Sequence, residues 1–91
     1  IRPNGGEAWA LGSTHSVDWE SGPAAGPNVK LKLWLNGVFT GYYLTGIEPN
    51  DGGYTWKIPS TLAPVSGYMI QVYTPDYSFS DFSDSAFSLV P

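Results

Sequence analysis

The sequence has no cysteine, which removes disulfides, thiolate catalysis, zinc–thiolate sites and iron–sulfur clusters together. A single histidine, His15, leaves little for metal ligation or acid–base chemistry. Charge is scarce, at 13% of residues, about half the usual share. Four Lys+Arg stand against eight Asp+Glu, a net charge of −4; phosphates would be repelled, so nucleic acid is not expected as a partner. No apolar run approaches the roughly 20 residues that span a bilayer as a helix, and no membrane insertion is expected. No stretch of about 10–12 residues keeps a helical period free of glycine, proline or a β-branched run, so essentially no helix is expected. The chain opens at Ile1 with neither methionine nor signal peptide, which reads as a mature or excised fragment.

What is present is aromatic. Of 91 residues, 42% are hydrophobic and 15% aromatic, with 4 Trp, 6 Tyr and 4 Phe. That length fits one domain, residues 1–91, and a chain so small must fill its core with large side chains. Eleven glycines and eight prolines punctuate stretches that alternate with period two. In Thr14–Glu20, His15, Val17 and Trp19 share one face. In Val29–Leu35, Val29, Leu31, Leu33 and Leu35 lie opposite Lys30, Lys32 and Trp34. Asn36-Gly37 is a strong hairpin signal and turns this strand back into Val38–Thr45. Tyr54–Ile58 follows the turn Asn50–Gly53. Tyr68–Thr74 sets Tyr68, Ile70 and Val72 against Met69, Gln71 and Tyr73. Ser21–Asn28 and Pro75–Ser83 read as loops, and Phe87 and Leu89 share a face of the last strand. These short strands with frequent turns predict an all-β fold, an immunoglobulin-like antiparallel β-sandwich of about seven strands, with a small barrel as the alternative.

Placed on these strands, Pro3-Asn4-Gly5-Gly6-Glu7-Ala8-Trp9, Gly12 and Val17-Asp18-Trp19-Glu20-Ser21 form one pattern with later segments. Those are Val29–Leu33, Gly53-Tyr54-Thr55-Trp56-Lys57-Ile58-Pro59, Tyr68–Val72 and Ser83-Asp84-Ser85-Ala86-Phe87-Ser88-Leu89. Together they resemble the Ser-Thr-rich GPI-anchored membrane family, whose domain opens fungal proteins of cell-wall β-glucan assembly. Similar domains serve as accessory modules in secreted bacterial and archaeal proteins. The resemblance implies an extracellular, non-catalytic module associated with walls or polysaccharides. The chain has no Ser/Thr-rich stalk, GPI-attachment tail or Asn-x-Ser/Thr site, so the bacterial or archaeal version fits better.

Candidate chemistry is limited. His15 shares the Val17 and Trp19 face and reads as structural. Asp18 and Glu20 have the spacing of a glycosidase pair but read as a solvated strand face, so no enzyme activity is expected. No cofactor is expected. A structural calcium near Asp76, Asp81 and Asp84 is kept open, since calcium takes about six to eight oxygen ligands. If the aliphatics of Val29–Leu35 and Tyr68–Thr74 face the core, then Lys32, Trp34, Gln71 and Tyr73 face water. Tyr42 or Tyr43 lies alongside and Tyr77 borders the set. Phe82 and Phe79 are expected inside.

Such an exposed aromatic face marks an interaction site. It suits a pyranose, whose C–H face stacks on aromatic rings while Gln and Lys bond ring-edge hydroxyls. The expected function is a carbohydrate-binding module of a secreted multidomain protein, monomeric and flanked by neighbouring modules. The alternative is a structural spacer or adhesion repeat that binds no sugar. The sparse charge favours a neutral glycan, while Lys30 and Lys32 leave an acidic one open.

Overall fold

The computed structural model describes residues 3–20 and 27–91; among these described residues 58% are in strands and none is in a helix. Eight strands follow in order: β1 (Ala8–Ala10), β2 (Thr14–Asp18), β3 (Asn28–Leu35), β4 (Val38–Pro49), β5 (Gly53–Lys57), β6 (Ser66–Tyr73), β7 (Ser80–Phe82) and β8 (Phe87–Val90). The larger sheet runs β1-β8-β6-β3-β4, with β7 also paired to β6; β2 and β5 form the second sheet. The result is the expected immunoglobulin-like sandwich. The expected loop Ser21–Asn28 lies largely outside the described residues.

The core fills the space between the two sheets. Val29, Leu31 and Leu33 of β3 and Ile70 and Val72 of β6 are fully buried, and so is Val17 of β2. Trp9, Trp19 and Trp56 are core residues, as their strand phase predicts. Buried Trp and Tyr need a partner for their polar end. Trp19 Nε1 donates to Asn50 Oδ1 (2.9 Å), Trp56 Nε1 to the Tyr42 hydroxyl (3.3 Å), and the Tyr68 hydroxyl to the Ala63 carbonyl (2.8 Å). His15 is structural in the sense expected: its ring stacks on Trp9 at 4.3 Å and 3°.

Two departures matter for function. The first is β7, formed where a loop was expected. It pairs with the C-terminal half of β6, on the edge whose N-terminal half pairs with β8. Ser83 bridges the gap, its backbone N–H donating to the Ile70 carbonyl and its hydroxyl accepting from the Ile70 N–H (2.9 and 3.0 Å). The second is β4, which runs on to Pro49 and holds 12 residues against 8 in β3. Three register shifts absorb the excess. In one of them Thr40 Oγ1 donates to the Leu33 carbonyl at 2.7 Å.

Candidate functional site

β3 and β6 pair in regular antiparallel register, matching Lys30 with Tyr73, Lys32 with Gln71 and Trp34 with Met69. Directly opposed residues share a face, so these six line the outer side of the larger sheet. The turn Asn36-Gly37 has positive φ at both positions (52° and 80°), as a two-residue type I′ hairpin requires. That turn sets Phe39 opposite Trp34, and the β4 bulges then bring Tyr43 opposite Lys32.

The Lys32 ammonium sits among four rings. Its Nζ lies 4.7 Å from the centroid of Tyr73, 5.0 Å from Phe39, 5.5 Å from Tyr77 and 5.9 Å from Tyr43. It also donates to the Tyr77 hydroxyl at 2.9 Å. The negative face of each ring attracts the cation. The bond to Tyr77 raises the Lys32 pKa and lowers that of the Tyr77 phenol. Burial pushes the Tyr73 phenol up, with Lys32 acting against it.

Tyr77 reaches this position from a tight loop. Its backbone has φ of 60°, uncommon for a non-glycine residue, and its N–H donates to the Thr74 carbonyl at 2.8 Å. Asp76 Oδ1 accepts from the Ser78 N–H and the Thr74 hydroxyl, both at 2.9 Å, and these bonds lower its pKa. The loop thereby stacks Tyr77 on Tyr73 at 4.8 Å and 16°.

Trp34 is fixed by a polar relay: Nε1 donates to Gln71 Oε1 (3.0 Å), and Gln71 Nε2 donates to Ser80 Oγ (2.9 Å). Phe82 meets the indole edge-on at 5.4 Å, and Phe39 lies 5.9 Å away on its other contact.

The expected site residues are therefore only partly brought together. Lys32, Trp34, Gln71, Tyr73, Tyr43 and Tyr77 form one cluster. Tyr42 does not join it: the bulges turn Tyr42 to the inner side, against Trp56 at 6.4 Å. Gln71 and Tyr73 point outward but do not face water, at 6% and 3% exposure, because β7 and the Tyr77 loop cover them. Phe82 is outside, not inside; its pairing with Gln71 puts it on the outer face, whereas Phe79 packs against the core. Phe39 was not expected, although the two-residue turn alone places it opposite Trp34. The open surface that results is Tyr77, Tyr43 and Phe82, at 57%, 47% and 38% exposure.

The other candidates stay apart. Asp18 accepts from the Ser16 hydroxyl at 2.7 Å. Among the described residues no three of His, Cys, Asp and Glu come together to hold a metal ion, the loop around Asp76, Asp81 and Asp84 included.

The family model for the Kre9/KNH-like N-terminal Ig-like domain matches residues 2–85. That family is implicated in fungal cell-wall glucan assembly, is related to cell-wall and secreted proteins, and is not a known catalytic family. The match supports the cell-wall side of the resemblance drawn from the sequence, but not GPI anchoring or Ser-Thr richness. No curated protein and no solved structure gives a significant match. With its two-sheet fold and a match spanning nearly its whole length, this chain belongs to the Kre9/KNH-like N-terminal Ig-like domain family.

Proposed function

We propose that this protein is an extracellular, non-catalytic accessory module that binds a polysaccharide across the outer face of its larger sheet. The observation carrying this reading is the exposed ring set Tyr43, Tyr77 and Phe82, held in place by Lys32 and by the Trp34–Gln71–Ser80 relay. The preorganised rings lose little freedom when a sugar stacks on them, which favours binding. Gln71 has committed its amide to Trp34 and Ser80, so its role is to hold the indole and not to contact sugar. The family's link to cell-wall glucan supports a polymer as the ligand. Binding of this kind raises the local concentration of whatever the module is attached to.

Electrophoresis through native gels cast with β-glucans and other wall polysaccharides tests this. Retardation of the wild type on at least one polymer is expected. Tyr43→Ala and Tyr77→Ala should each weaken it by about 2 kcal/mol, roughly thirtyfold, the scale of an interface anchor. These two are better probes than Trp34→Ala, which leaves the buried Gln71 carbonyl without its donor and so disturbs stability as well. Mobility unchanged on every polymer of a broad panel would refute binding and favour the spacer or adhesion role.

A further inference from the structure

We infer that the polymer taken by this face is anionic, a polysaccharide bearing carboxylates that Lys30 and Lys32 receive while its rings stack on Tyr43 and Tyr77. This rests on the carbohydrate reading above and deepens it. Lys30 and Lys32 stand two residues apart on the outer side of β3, about 7 Å along the strand.

Among the described residues neither lysine has a carboxylate partner: Lys32 is engaged by one hydroxyl and four rings, and Lys30 is in no ion pair. The outward positions of β3, β4, β6 and β7 around them hold no acidic side chain. Asp81 pairs with the inward-facing Val72, Glu48 pairs with the inward-facing Val29, and Asp76 is bound into its own turn. In a chain with twice as many acidic as basic residues, two adjacent cations facing no carboxylate form a local field opposite in sign to the whole.

That local field governs contact at physiological salt, where charges beyond about 8 Å are largely screened. Lys32 has spent one of its three N–H groups on Tyr77, which leaves two for a carboxylate. Lys30 sits opposite the buried Tyr73, and among the described residues no hydrogen bond engages its ammonium. A neutral glucan offers this pair only hydroxyls. A polyuronate offers a carboxylate on each ring, and charge-assisted bonds are roughly twice as strong as neutral ones.

Titration calorimetry of the whole protein with oligogalacturonates, and with neutral β-glucan oligosaccharides of equal length, tests the inference. Binding of the acidic oligomer should be about tenfold tighter than that of the neutral one, one charged hydrogen bond's worth. It should weaken when salt rises from about 0.05 to 0.5 M. Lys30→Gln, with its fold checked by circular dichroism, should lose about tenfold for the acidic oligomer and clearly less for the neutral one. Equal or tighter binding of the neutral oligomer, or an acidic affinity insensitive to salt and to Lys30→Gln, overturns the charge assignment while the carbohydrate reading stands. Binding to neither oligomer overturns this inference; retardation lost as well on the full gel panel overturns the reading beneath it.

Discussion

Trp56→Ala is expected to lower the stability of the protein by about 3–5 kcal/mol, the range for removing a large buried aromatic. Trp56 is 1% exposed and stands where the small sheet meets the large one, with Trp9 at 6.5 Å and Tyr42 at 6.4 Å. Two losses add. The cavity is lined by rings that cannot collapse far, and the Tyr42 hydroxyl loses its indole donor. A chain of this size has roughly 5–14 kcal/mol in total, so the variant loses from about a fifth of its stability to all of it. At about 4–8 °C per kcal/mol, the melting temperature should fall by roughly 12–40 °C. Chemical denaturation followed by tyrosine and tryptophan fluorescence measures this; a loss under about 1 kcal/mol would mean that Trp56 is not packed as described.

The second large effect lies far from the aromatic face, at Gly5. Its φ is 136°, and a Cβ there would stand 2.5 Å from the Cβ of Ser85. The approach is close because the opening turn is tied to the segment before β8: the Ser85 N–H donates to the Asn4 carbonyl (2.8 Å) and the Gly6 N–H to the Ala86 carbonyl (3.0 Å). The Glu7 carboxylate braces the turn from within, accepting from the Asn4 and Gly5 N–H groups at 3.1 and 2.9 Å. Gly5→Ala therefore combines unfavourable backbone with overpacking and should cost about 3 kcal/mol. Gly6→Ala separates the two causes. Gly6 also has positive φ, 81°, but open space around it, so its loss should be about 1 kcal/mol, from the backbone alone. Equal losses in urea titrations of the two variants would rule out the contact with Ser85.

Where the chain keeps strict period two, the sequence was readable down to single side chains. β3 and β6 present outward the residues that alternation assigns to them, and the Asn36-Gly37 turn fixes how β4 enters. Past Phe39 alternation fails, because extra residues in β4 reset which side faces the core; the choice between Tyr42 and Tyr43 depends on bulges that no local pattern announces. The covering of Gln71 and Tyr73 was hidden for a different reason. It arises from β7 and the Tyr77 loop folding back beside β6 as a local hairpin, whose turn residues fit an open loop equally well. Lys32 illustrates the same limit. Its outward direction followed from alternation, but the four rings around it come from β4, β6 and the Tyr77 loop, and only the tertiary fold assembles them.

The bulges of β4 have a consequence for how copies of this protein behave when crowded together. β4 is a terminal strand of the larger sheet, long and carrying Val38 and Ile47 at 67% and 59% exposure. A flat strand of that length and composition would recruit the edge of another molecule and seed aggregates. Its broken register leaves no regular row of free backbone groups to template such a fusion, and β1, at the opposite margin, offers only three residues. Sheet merging along β4 and β1 is thereby disfavoured.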